Sequence, residues 1–188
     1  MALKIEQRIG IAAPVDDVYD LVADINAWPQ WSPIHKAASA EMHFGAPVHL
    51  EEYYAGLGTW EIDGILTDWA PLSHLHVAVP KPFYAGTLIR YFEFESLIDT
   101  GSTFTIGALF QGFLSEREGK RYKTFLRQGF EAFNAAVKAE AEARFAAAPE
   151  RARVHVDVKP PEAPQLGPRR PDWTPTQFLF FGNNKKKF

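Results

Sequence analysis

Apolar and polar positions alternate from the start of the chain. Leu3, Ile5, Gln7, Ile9 and Ile11 share one face, which predicts a strand with one buried side. Ala13-Pro14 then opens a helix, because proline tolerates a first helical position, where its missing N–H would be unpaired anyway. Asp16 and Asp17 complement the dipole of its first turn. Val15, Val18, Leu21, Val22 and Ile25 fall on one face at helical spacing. The segment Trp28-Pro29-Gln30-Trp31-Ser32-Pro33 must end the helical part, since Pro29 and Pro33 interrupt it.

Between residues 34 and 114 the period changes to that of strands, broken at 44–47, 56–58, 70–71, 80–85 and 99–102. This predicts about six further antiparallel strands joined by short connections. Ser115-Glu116-Arg117-Glu118 reads as a capping box at the start of a long helix reaching residue 146. Tyr122, Phe125, Leu126, Phe130, Phe133 and Val137 lie on one stripe of that helix, with Lys120, Lys123 and Lys138 off it. At ~1.5 Å per residue the helix can run the length of a sheet. A sheet with one polar face must bury the other, and this stripe is the large apolar surface on offer. The prediction is an α+β protein: a curved antiparallel sheet of about seven strands wrapped around a long C-terminal helix, with two short helices after strand 1.

Composition refines this picture. The 188 residues are 46% hydrophobic and 23% charged, so the chain can bury a sizeable core and is not globally disordered. Aromatic residues reach 14%, a share that implies large interior volumes to fill or to line. The absence of cysteine excludes disulfides, thiolate metal sites and a cysteine nucleophile. The formal net charge of −3 gives no reason to expect nucleic acid as a partner. No apolar run suits a signal peptide or a transmembrane segment, and a cytoplasmic protein is expected.

The charge is unevenly placed. Residues 1–146 carry 12 Lys and Arg against 19 Asp and Glu, whereas residues 147–188 carry 8 against 4 and half of the 14 prolines. This predicts a globular domain over 1–146 and a basic, Pro-rich C-terminal extension over 147–188. In the extension, residues 154–158 alternate as an added edge strand would, and 160–164 read as extended linker. Its aromatic end, 173–181, packs on the body, binds a partner or anionic membrane, or is a weakly ordered extension.

Strand parity selects the inward side chains. On the strand over 88–96, Glu93 and Glu95 belong outside with Tyr91, which turns Arg90, Phe92 and Phe94 inward. Glu61 and Asp63 facing solvent place Trp60, Ile62 and Leu66 inside, and the same logic places Phe104, Ile106 and Phe110 there. Glu52 and Tyr54 share a face with Val48 and Leu50, and the helix answers with Phe130 and Phe133. A buried guanidinium needs an anion: Glu52 is a structural partner for Arg90, a ligand's carboxylate or carbonyl is the alternative, and a bulge turning Arg90 outward is the third possibility. Such an aromatic stripe is more often plain core than the lining of a ligand cavity, and both readings stay open. His74 and His76 have a spacing that can hold a metal, but Leu75 and Val77 claim the inner face and no third ligand is evident, so no metal and no cofactor are expected. Neither a nucleophile elbow nor a phosphate-binding loop occurs.

Several stretches carry a resemblance. Residues 11–19 (IAAPVDDVY), 24–33 (DINAWPQWSP), 64–75 and 133–142 resemble the helix-grip fold of the START/SRPBCC superfamily, which includes polyketide cyclase, lipid-transport-like and birch-pollen-allergen-like members. The resemblance covers residues 3–146 and implies a cavity between sheet and helix. It implies binding of a small, largely hydrophobic molecule there, with Glu52, Tyr54, Trp60, Arg90, Phe92, Phe94, Phe110, Phe130 and Phe133 as the ligand-binding set. The alternative it leaves open is a metal-free cyclase/aromatase or lyase acting on a polyketide-like or other hydrophobic substrate, with unknown catalytic residues.

Overall fold

The long amphipathic helix and the strands it faces set the architecture. The computed structural model describes residues 2–98 and 100–147. Strand β1 (Ala2–Ile11) leads into α1 (Val15–Ala23), a 3-10 turn (Ile25–Ala27) and α2 (Trp28–Trp31). Six strands follow: β2 (His35–Ala40), β3 (Pro47–Tyr54), β4 (Gly58–Ala70), β5 (His74–Val79), β6 (Thr87–Ile98) and β7 (Gly101–Gln111). The helix α3 (Phe113–Ala147) comes last. All neighbours pair antiparallel in the order β1-β7-β6-β5-β4-β3-β2, so the first two strands form opposite edges. The chain between them must cross the width of the sheet, and α1, the 3-10 turn and α2 make that crossing.

The sheet is curved and unclosed, and its inner face holds α3. Val18, Leu21 and Val22 of α1 are buried, as are Leu126, Phe130, Phe133 and Val137 of α3, on the faces that helical spacing predicts. Trp28 is fully buried: its indole Nε1 donates to the Val22 carbonyl at 2.9 Å, and its ring meets Phe92 and Phe133 edge-on at 5.3 Å each. This tryptophan ties the crossing segment to both layers of the core.

One local expectation is corrected. The helix begins at Phe113, with the Glu116 amide donating to the Gly112 carbonyl at 2.8 Å, so no capping box forms at Ser115. Ser115 Oγ donates instead to the Thr87 carbonyl at 2.7 Å, and Glu118 pairs with Lys81; both side chains fasten the helix start to the β5–β6 connection. Tyr91 does face outward, yet it is only 5% exposed because it lies across Gly107 on the neighbouring strand, where any Cβ would overlap its ring. Its hydroxyl donates to Glu6 at 2.9 Å. The helix also runs through Ala147, the first residue assigned to the extension. Residues 148–188, with the anticipated strand, linker and aromatic end, lie outside the described residues.

Candidate functional site

The strands bring four polar side chains to one point in the apolar interior. Glu52 and Tyr54 project inward from β3, Arg90 projects inward from β6, and His35 stands opposite Glu52 in the β2–β3 register. Arg90 grips Glu52 with both terminal nitrogens: Nη2 donates to Oε1 at 2.8 Å and Nη1 to Oε2 at 3.1 Å. The Tyr54 hydroxyl donates to Oε2 at 2.7 Å. His35 Nε2 lies 3.3 Å from Oε1, in ion-pair range without hydrogen-bond alignment, while its Nδ1 is 2.7 Å from Ser32 Oγ. Glu52 and Arg90 are fully buried, and Tyr54 and His35 nearly so. The guanidinium sits 4.6 Å from the Phe130 ring centroid, a cation–π contact that covers its helix side.

Burial alone would raise the Glu52 carboxyl, but the Arg90 charge, with His35 and Tyr54 behind it, outweighs this and holds it well below the usual range, at about 2. Burial is also the leading influence on His35, and it lowers the imidazole despite the neighbouring carboxylate. Tyr54 is pushed up, by burial first and by Glu52 second. For Arg90, burial works against the charge, yet Glu52 prevails and raises it. The group is therefore one carboxylate matched by one guanidinium, with a neutral imidazole and a neutral phenol.

The other predicted residues take different places. Phe92 and Phe133 meet Trp28 and each other around His35, and Phe94 packs against Phe104 and Tyr19 beyond them. Phe110 lies toward the start of α3, where a Cβ on Gly119 would come within 2.7 Å of its ring. Trp60 is only half-buried, at the rim, 5.7 Å from Tyr122 and 6.2 Å from Tyr54 between ring centroids. His35 and Ser32 were not predicted. Counting hairpin register back from the turn at 44–47 would have brought Lys36 opposite Glu52; only the bulge between His35 and Ala37, which breaks the strand parity that flags inward residues, brings His35 there.

The helix packs extensively along β1 and β7 and only lightly on β3. On this looser side two pockets lie in the seam between α3 and the β3–β4 hairpin. One, about 240 Å³, is bounded by Ile34, Tyr54 and Ala55 on the sheet side and by Phe125, Gln128 and Ala132 on the helix. The other, about 260 Å³, is lined by Leu57, Thr59, Trp60, Glu118 and Tyr122. Tyr54 joins the two levels of the site, because its ring walls the first pocket and its hydroxyl holds Glu52. None of the pockets described here is lined by Arg90, Phe92, Phe110, Phe130 or Phe133; those side chains form the packed interior behind the cleft.

The outer face of the sheet has grooves of its own. His74 and His76 line one of about 340 Å³ with Arg8 and Glu93, and both approach Asp68, at 3.2 and 3.6 Å. Among the described residues no group of three or more His, Asp or Glu side chains is arranged to hold a metal ion. No described helix is long and apolar enough to cross a membrane.

Comparison with known proteins gives the same architecture. The chain resembles the structure of a START superfamily protein from Mycobacterium smegmatis, with a TM-score of 0.61 and 14% identity over 75% of this chain and 98% of that one. It also resembles the Zhui aromatase/cyclase from Streptomyces sp. R1128, with a TM-score of 0.60 and 19% identity over 77% and 96%. A protein from Thermobifida fusca is 23% identical over 75% and 93%, at a TM-score of 0.55. At these identities the likeness establishes the fold alone. No curated protein matches the sequence. The model of one family, described as polyketide cyclase/dehydrase and lipid transport, matches residues 2–142. With a curved sheet around α3 and a match over three quarters of its length, the chain belongs to the polyketide cyclase/dehydrase and lipid transport family of the START/SRPBCC superfamily.

Proposed function

We propose that the domain over residues 1–146 binds a small, largely hydrophobic molecule between the sheet and α3, entered through the seam beside the β3–β4 hairpin. The observation that carries this reading is the uneven packing of the helix, close on β1 and β7 but loose on β3, where the two seam pockets lie. Tyr54, Trp60, Tyr122 and Phe125 supply contact area at the entrance. Phe92, Phe94, Phe110, Phe130 and Phe133 form the inner wall that a larger guest reaches when α3 and the hairpin part. Each pocket alone is smaller than the ~300 Å³ at which ordinary ligand sites begin. A guest larger than a compact ring system therefore spans both or displaces the hairpin. Affinity comes from apolar area removed from water, at ~25 cal/mol per Å².

Turnover of a polyketide-like substrate in the same space is the second reading, suggested by the family description. Proton transfer works best from groups whose pKa lies near the working pH. Glu52 is held too low and Tyr54 too high for that task, and Arg90 is committed to Glu52. This electrostatic arrangement favours binding. Native mass spectrometry of the purified chain tests the proposal: a co-purified apolar molecule supports it. A ligand-free protein whose melting temperature no hydrophobic compound raises defeats it.

A further inference from the structure

We propose that the guest is uncharged, its polar part limited to hydroxyl or carbonyl oxygen, and that carboxylates of the same hydrocarbon frame are excluded. The proposal deepens the binding reading and rests on it. Three observations carry it. First, no Lys, Arg, His, Asp or Glu lines the pocket walled by Tyr54 and Phe125. Second, the one charged residue lining the neighbouring pocket is an acid, Glu118, and the cation beside it, Lys81, is already paired with that acid. Third, the cation behind the cleft, Arg90, is fully buried and has both terminal nitrogens on Glu52.

An anionic guest would therefore meet no unpaired cation in the lining of either pocket; Lys36, 4.5 Å from the Tyr53 ring centroid, and Arg121, 5.5 Å from that of Tyr122, lie over lining rings and are not themselves part of the lining. Further in, it would find only the Nε–H of Arg90 without a partner, and a carboxylate there would share one guanidinium with the buried Glu52 carboxylate, leaving a net negative charge in the core. Burying an unmatched charge is far costlier than burying a hydrogen-bonded neutral oxygen. The buried polar atoms without a partner inside the described residues include Arg90 Nε, Trp31 Nε1 and Asn134 Oδ1. Two are N–H donors, which any oxygen acceptor, neutral or charged, can satisfy. The third is an amide oxygen, which a hydroxyl can satisfy and a carboxylate repels.

The test titrates the full chain by calorimetry with two nearly isosteric probes, 2-acetonaphthone and 2-naphthoate at neutral pH, and with a longer pair, tridecan-2-one and tridecanoate. The neutral member of each pair is expected to bind at least about tenfold more tightly. Equal or tighter binding of the carboxylates overturns the proposal while leaving the cleft as a ligand site. Failure of all four to bind overturns the binding reading itself. A second arm uses Ala132→Lys, which adds a cation to the cleft wall at a half-buried helix position. It should raise 2-naphthoate affinity about tenfold and change that of the ketone by less than about threefold. An unchanged 2-naphthoate affinity would show that charge is not what excludes the acid, and would overturn the proposal.

Discussion

Arg90 and Glu52 hold each other by two hydrogen bonds, at 2.8 and 3.1 Å, although β4 and β5 lie between their strands in the sheet. Adjacent strands are spaced ~4.8 Å apart, so three such steps on a flat sheet would separate the two backbones by ~14 Å. The contact closes because the sheet curves: the inner faces of β3 and β6 turn toward each other, and two long side chains span what remains. The pair therefore reports the curvature of the sheet, and breaking it tests how much of that curvature depends on it.

Removing one partner should be severe. Arg90→Met or Glu52→Leu leaves a buried charge uncompensated, which typically costs ~3–5 kcal/mol. The double variant should recover most of that loss, because two apolar side chains need no match. Urea unfolding of the four proteins in a double-mutant cycle measures the coupling. Single variants that lose less than about 1 kcal/mol would show that water reaches the pair.

Stability should fall on the acid side in two stages. The folded His35 sits below its ordinary 6.5, so the unfolded chain takes up a proton that the folded chain resists, and stability declines as pH drops below that value. Glu52 is lowered from 4.5 to about 2, so its contribution is complete above 4.5 and is lost as pH falls toward 2. Melting temperatures between pH 8 and 3 follow both stages. His35→Gln should flatten the upper one and leave the lower in place.

Gly129 is where the helix passes Tyr54 most closely, and a Cβ there would overlap the ring. Alanine normally gains ~1 kcal/mol over glycine inside a helix, so Gly129→Ala would stabilise a free surface. Here the overlap should reverse the sign, costing ~1–3 kcal/mol by overpacking. Chemical denaturation of Gly129→Ala, alone and with Tyr54→Ala, separates the two effects: the glycine substitution should be much less harmful once the ring is gone.

Ala132→Phe should fill the seam pocket from the helix side. The variant is expected to keep its melting temperature within a few degrees while the melting-temperature rise given by neutral hydrophobic compounds disappears. Retained binding would move the entrance away from this seam.

Much of this protein was readable as a sequence. Alternation placed Arg90, Phe92, Phe94, Glu52 and Tyr54 on inner faces, and helical spacing placed Phe130 and Phe133 opposite them; the tertiary structure buries all seven. Such features are local: a period of two or 3.6 residues is written into consecutive positions, and burial of one face follows from it. The choice among Glu52, a ligand oxygen and an outward bulge for Arg90 was not local, since 38 residues separate it from Glu52. His35 escaped because a bulge breaks its parity, Ser115 because a cap motif and a tertiary hydrogen bond use the same hydroxyl, and Tyr91 because the glycine that covers its ring belongs to another strand. The position of the open seam depended most on tertiary structure. An amphipathic stripe specifies that α3 is buried, while strand curvature and the close approaches at Gly119 and Gly129 decide which strands it touches and where it stands away. Those distances are sums over the whole fold, and no stretch of the chain encodes them by itself.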